Sequence, residues 1–333
     1  MNARLILSIV TLSVCCLAGQ TDAALVGYWS FDGNLQDGSG NGNNGAFLGS
    51  PLPTFSGDTP AGLAGGQSVL FGGSSGRVEV ADSAALDLTT TITLMAWVNE
   101  TGTAHEGILV KNPSNGSSAN HAGNYELRVN PGDAIDLGYQ QGGVDDTTAH
   151  SSTSTIPSGW NHVAVTLTQG GPGAFYINGS LAGTFTASAN FGATNTNPLL
   201  IGNRADSGTP MIGRIDDAGI FDVALTFGKV RGVVSVANGL GYDLGLANEL
   251  FRVFDGEIAS ADIGNILWAP GNGLGGTAGD LVSIGGGQYF LNLDGVNGVL
   301  GLQVPEPSTG ALLSLGALAL ARRRTKLRRR SRA

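Results

Sequence analysis

Carboxylates carry most of the chemical capacity of this 333-residue chain. Glu100, Glu106 and Glu126 are the candidates for an acid pair, which glycosidic-bond hydrolysis requires as one protonated and one ionised group. Asp216 suggests different chemistry. In the run 214–221, strand alternation places it on the face of Ala218 and Ile220, the face expected to pack, and a carboxylate there needs a partner. That partner is either a hard cation held by oxygens or a set of backbone and side-chain hydrogen bonds. The loop 34–45 is dense in oxygen side chains, but Asx turns and left-handed backbone account for its Asn and Gly without an ion. Asp145-Asp146 and His105-Glu106 fall in expected loops and read as solvated. His162, one of four histidines, has no carboxylate or nucleophile suggested beside it and reads as structural.

Cysteine chemistry is excluded on other grounds. Residues 1–23 carry one basic residue, Arg4, an apolar run over 5–17 and small residues at Ala18 and Ala23. This is the pattern of a secretory signal peptide. Both cysteines, Cys15 and Cys16, lie inside it, so the mature body is expected to have no disulfide and no thiolate site. The net charge of −9 hides an asymmetry: Arg4 and eight residues after Ala321 make up nine of the 17 basic residues. The body from Ala24 to Pro305 is therefore strongly acidic, which disfavours nucleic acid and anionic glycans and favours divalent cations.

The chain ends in Val304-Pro305-Glu306-Pro307-Ser308, an apolar stretch over 311–321, and a tail holding Arg322, Arg323, Arg324, Lys326, Arg328, Arg329, Arg330 and Arg332. The triplet Pro305, Glu306, Pro307 is extended and poor in backbone donors, which suits recognition as an unfolded strand. The apolar stretch is shorter than the roughly 20 residues of a spanning helix, so it suits a transient stop in the inner membrane, with the arginines holding the tail on the cytoplasmic side. A plain membrane anchor with a basic stop-transfer is the alternative. The three-part arrangement over 304–333 resembles the PEP-CTERM sorting signal of Gram-negative bacteria. The resemblance implies an exosortase-type processing enzyme as partner, export through the inner membrane, and a final place at the outer surface or in the extracellular matrix.

Between the two signals, 54 glycines and 13% charged residues favour short strands joined by turns over long surface helices. Strands are expected at 26–31, 68–71, 77–80, 92–98, 107–111, 125–129, 135–139, 162–168, 174–177, 180–186, 199–201 and 214–221. Asn178-Gly179 is a two-residue hairpin turn. A helical period follows from Leu225 to Val236, with Asn238-Gly239 as its stop. A small mixed α+β region occupies 240–303, with a short helix over 244–254 and strands near 263–268, 281–284, 289–293 and 298–303.

Gly27-Tyr28-Trp29-Ser30-Phe31-Asp32-Gly33, Ser68-Val69-Leu70-Phe71-Gly72, Thr93-Leu94-Met95-Ala96-Trp97-Val98, Trp160-Asn161-His162-Val163-Ala164-Val165-Thr166, Tyr176-Ile177-Asn178-Gly179 and Gly213-Arg214-Ile215-Asp216-Asp217 occur in order. Together, over 24–239, they resemble a LamG-like domain of the concanavalin A-like lectin/glucanase superfamily. The resemblance implies an all-β jelly-roll sandwich of two antiparallel sheets with its first and last strands side by side. It also implies a structural Ca²⁺ site there, with Asp32 joining Asp216. Trp29, Trp97 and Trp160 are then core residues, and Trp268 lies outside the sandwich. The related glucanases place their acids as Glu-x-Asp-x-x-Glu on one strand, and this chain has no such run. The expectation is a non-catalytic surface protein that binds a glycan or a protein. The alternatives are a hydrolase with an unrecognised acid pair and a structural envelope component without a ligand.

Overall fold

In the computed structural model, the described residues are 25–303 except 64–65, 112–123, 140–149, 193, 205–207, 241–243, 245–247, 249–250, 253–265, 271–276, 286–287 and 294–297. Both signals, including Pro305 to Pro307 and Arg322 to Arg324, lie outside them, as do Asp145-Asp146 and most of the helix expected over 244–254. Among the described residues no helix is long and apolar enough to cross a membrane.

Two antiparallel sheets form a sandwich. The larger holds, in spatial order, β13 (Ser180–Thr186), β12 (Pro172–Ile177), β11 (Asn161–Thr168), β6 (Thr91–Glu100), β15 (Ile212–Phe221), β4 (Ser68–Gly72) and β3 (Thr54–Ser56), with β1 (Leu25–Trp29) also paired to β15. The smaller holds β10 (His150–Thr155), β9 (Ala134–Gly138), β8 (Tyr125–Val129), β7 (Glu106–Lys111), β14 (Leu199–Ile201), β5 (Arg77–Val80) and β2 (Gly45–Leu48). Asn178 and Gly179 both take positive φ at the β12–β13 hairpin, as the turn chemistry requires. Alternation along the strands fills the space between the sheets: Ile92, Leu94, Ala96 and Val98 of β6 face Tyr125, Leu127 and Val129 of β8 within one cluster.

The outward face of the larger sheet is apolar as well. Met95, Ala164, Tyr176 and Phe221 are buried there under α1 (Phe227–Leu240), with Val230, Val233 and Val236 of the helix against them. The helix runs through Asn238-Gly239 to Leu240 and does not stop at that pair. Its closing turn rests on the 3-10 turn Ala61–Leu63, where Gly62 lies so close to Ala237 that no side chain would fit. A third sheet of β16 (Ile266–Pro270), β19 (Gly298–Gln303), β18 (Gln288–Asn292) and β17 (Asp280–Gly285) covers the helix in turn. Leu291 and Leu293 join the cluster under α1. Gly228 lets the helix backbone approach the carbonyl of Leu293, and Arg231 pairs with Asp280 at 2.7 Å. Trp268 sits in β16.

The third sheet thus belongs to the same apolar cluster as the sandwich. Truncating its fully buried anchor, Leu291→Ala, is expected to destabilise the whole body by about 2–4 kcal/mol. Urea unfolding followed by both tryptophan fluorescence and far-ultraviolet circular dichroism should show one shared transition moved to lower denaturant; a separate early transition of the third sheet would contradict the coupling.

Candidate functional site

Asp216 does not lie on the face of Ala218 and Ile220. A bulge between Asp216 and Gly219, with Asp217 in the left-handed region at φ 46°, inserts an extra residue into β15. Asp216 then registers opposite Trp97 on the outward face, while Ala218 and Ile220 stay in the inter-sheet core. His162 registers opposite Trp97 from the other side, so His162, Trp97 and Asp216 form one cross-strand row. Trp97 and His162 meet edge to face at 5.4 Å.

Asp216 and the carboxyl groups near it accept from protein donors. Asp216 Oδ1 accepts the Asp217 N–H at 3.0 Å, and Asp217 Oδ1 accepts the Tyr28 hydroxyl at 2.6 Å. Asp32, in the chain following β1, is exposed and accepts the Gln67 N–H at 2.8 Å. Burial pushes the Asp216 carboxyl up to about 9, reinforced by the negative charges of Asp217 and, more weakly, Asp32. Among the described residues, no group of three or more His, Cys, Asp or Glu is arranged to hold a metal ion. Burial also lowers His162 to about 3, so it is neutral, and its Nδ1 has no hydrogen-bond partner among the described residues.

The three glutamates fall into two places. Glu106 is 1% exposed and not solvated. It lies at the rim of the smaller sheet and reaches across to the larger one, its Oε1 accepting the Ile212 N–H of β15 at 2.8 Å. The loop at Gly102 folds directly over the Glu106 carboxyl, and a side chain there would displace it. Burial drives Glu106 up to about 7, opposed by the Ile212 N–H and helped by the neighbouring charge of Glu100. Glu100 is itself raised by burial and by Asp133, and shares a hydrogen bond with Glu106. Glu126 belongs elsewhere, on the outward face of the smaller sheet with Arg128 at 3.5 Å and Arg204 at 3.9 Å. Arg128 also faces Asp136 at 3.6 Å, and Asp136 accepts from Ser151 at 2.6 Å and Asn130 at 2.9 Å. His105 stands 3.9 Å from Asp136 and is half-exposed. Across this face, Ala46, Glu79, Leu200, Val110, Glu126 and Gly138 register in one row without an aromatic side chain.

One further arrangement was not foreseen from the sequence. Lys111, wholly buried at the end of β7, donates to Asp82 at 2.6 Å and to the Asn197 carbonyl at 2.8 Å, with Asp87 at 3.4 Å. The loop after β1 is organised by Asp37, which accepts from Tyr28, Ser39 and Asn43 backbone N–H groups, while Asn41 and Asn43 donate to the carbonyl of Val26. Asx geometry accounts for that loop without an ion. Trp29 and Trp97 are buried, and Trp160 is half-buried with its indole N–H on Asp58 at 2.9 Å.

Residues 71–231 match the Laminin_G_3 family of the concanavalin A-like lectin/glucanases superfamily, and residues 303–325 match the PEP-CTERM protein-sorting motif. The chain therefore carries a Laminin_G_3 domain of the concanavalin A-like fold joined to a PEP-CTERM motif, and that motif implies exosortase processing, export and cell-surface sorting. No curated protein matches the chain. Among solved structures it is similar to domain 4 of AbnA, a GH43 extracellular arabinanase from Geobacillus stearothermophilus in complex with arabinotriose, at 20% identity and TM-score 0.46, covering 63% of this chain and 98% of that one. It is also similar to the binding domain of Paraclostridial Mosquitocidal Protein 1, at 14% identity and TM-score 0.47, covering 64% and 52%. A third likeness is to botulinum neurotoxin type C, whose cell entry depends upon interaction with two ganglioside molecules, at 15% identity and TM-score 0.48, covering 65% and 51%. The chain spans about half the length of the latter two.

Asp216 gives the site a pH signature. Because its folded value lies above the ordinary 3.8, the folded state binds the extra proton between about 4 and 9, and stability falls as pH rises through that window. In metal-free buffer, wild-type stability should decline between about pH 5 and 8 with a slope that Asp216→Asn reduces by up to ~1.4 kcal/mol per pH unit. Equal slopes in the two proteins, measured by urea unfolding, would contradict the burial of this carboxyl.

Proposed function

We propose that the chain is an exported, exosortase-processed surface or matrix protein whose sandwich binds a carbohydrate or protein ligand without catalysis. The observation that carries this proposal is the union of a sorting motif with a sandwich whose carboxylates are committed to hydrogen bonds and ion pairs. The outward face of the smaller sheet is the ligand surface in this proposal: the accessible His105, Asn130 and Ser151 offer hydrogen bonds, the buried set of Glu126, Arg128 and Asp136 beneath them holds them in place, and the absence of aromatics from the central row favours polar recognition over stacking. During export the stretch over 311–321 enters the inner membrane transiently, with the arginines from Arg322 on the cytoplasmic side.

A structural Ca²⁺ between Asp32 and Asp216 is part of the proposal. Its support is the burial of the Asp216 carboxyl beside the negative charges of Asp217 and, more weakly, Asp32, which together disfavour its ionisation and which a cation would offset. Bound there, the ion would leave Asp216 ionised and hold the chain after β1 to β15.

One observation favours the hydrolase alternative. A carboxyl poised near 7, as burial makes Glu106, is the kind of group an acid catalyst needs. Against it, Glu106 is tied to Ile212 and hydrogen-bonded to Glu100, and a retaining or inverting pair needs its two carboxyls about 5 Å apart or more, with a sugar between.

A glycan array with the processed protein, read with Ca²⁺ and with EDTA, tests these together. Binding is expected, weakened by combined His105→Ala and Ser151→Ala and unchanged by Glu106→Gln, with no release of reducing ends. Ca²⁺ should raise the melting temperature of the wild type but not of Asp216→Asn. Hydrolysis abolished by Glu106→Gln would establish the enzyme instead, and absence of any glycan or protein ligand would leave a structural component.

A further inference from the structure

The last strand before the sorting motif lies inside its sheet. β19 sits between β16 and β18, pairing Leu302 with both Ile266 and Tyr289, and Gln303 with Gln288. The strand is therefore paired on both sides as far as Leu302 and on one side at Gln303. Val304 alone separates Gln303 from Pro305. Proline lacks the N–H that a ladder needs, so Pro305 and Pro307 offer no donor to either neighbour.

An enzyme that works on a peptide commonly takes it as an extended strand, using main-chain hydrogen bonds over several residues. Engagement reaching more than two residues before Pro305 claims the same N–H and C=O groups that β16 and β18 hold. The competition is not with a loose flap. β18 is fixed to the body through Leu291, which shares a buried cluster with Met95, Tyr176 and Val230. Slack on the other side is small too: residues 304–310 separate β19 from the apolar stretch, and seven residues span at most ~25 Å.

We propose that β19 gates removal of the tail: the exosortase-type enzyme engages the motif while β19 is unpaired, and insertion of β19 between β16 and β18 withdraws it. The gate rests on exosortase processing of this chain. Folding of the third sheet and processing then compete for one segment, and chains processed early release a body that can close.

The test is pulse-labelling of the full chain in a bacterium with the processing enzyme, following tail loss by mass. A flexible insertion of about six Gly and Ser residues between Gln303 and Val304 should speed tail loss roughly tenfold, since the engaged state is no longer reduced by the fraction of chains with β19 unpaired. Gly301→Pro, which breaks the central strand's pairing, should speed it likewise. An insertion variant processed at the wild-type rate overturns the gate. Acceleration by the insertion but not by Gly301→Pro also overturns it, assigning the effect to distance from the membrane. Combined Pro305→Ala, Glu306→Ala and Pro307→Ala separates the two levels: retention of the tail upholds exosortase processing whatever the gate does, and normal tail loss removes both.

Discussion

The constraint that governs this molecule is a central strand that is apolar on both sides. Residues 92–98 of β6 are buried on both faces, so the sheet containing them needs two covers. The smaller sheet supplies one. Helix α1 supplies the other, and because the helix is itself apolar toward Leu291 and Leu293, a third sheet has to follow. The order of elements along the chain, sandwich then helix then small sheet, is the order in which each exposed apolar face is closed by the next.

Charge is handled under the same constraint. Buried ionisable groups survive only with partners or by losing charge. Lys111 takes the first route through Asp82, Asp87 and the Asn197 carbonyl. Glu126, Arg128 and Asp136 take it as a linked set on the outward face of the smaller sheet. Asp216 and His162 take the second, the acid pushed up and the imidazole pushed down until both are neutral near pH 7. An acidic chain thereby keeps its interior almost free of unbalanced charge, and leaves its negative surplus for the surface, where it limits the partners the body attracts.

The main strands were legible because their apolar alternation is strong, and β11, β12, β13 and β15 fall where the sequence places them to within two residues. The strands that went unread, β2, β3 and β10, all lie at sheet edges. β10 is His150-Ser151-Ser152-Thr153-Ser154-Thr155, which carries no apolar alternation and is recruited by its neighbour β9. Site residues fared differently. The burial of Asp216 was legible, yet its face was not, since the bulge depends on Asp217 adopting a left-handed backbone that nothing in the local sequence demands. Glu106 looked like a loop residue, and only the approach of Ile212 from the other sheet, 106 positions away, explains its burial. Lys111 is a similar case, because its partners come from two distant loops. Long-range partners leave no trace in local spacing, whereas cross-strand packing leaves a period.

Continuity between core and C-terminal sheet is what ties the fold to its fate outside the cell, since β19 ends beside the sorting motif while β18 is rooted under α1. Native-state hydrogen exchange on the processed protein measures that continuity directly. Amides of β18 and β19 should open with the same free energy as those of β6 and β11, all through global unfolding. Exchange of β17, β18 and β19 through a separate, much cheaper opening, with β6 still protected, would contradict a single body closed by its last sheet.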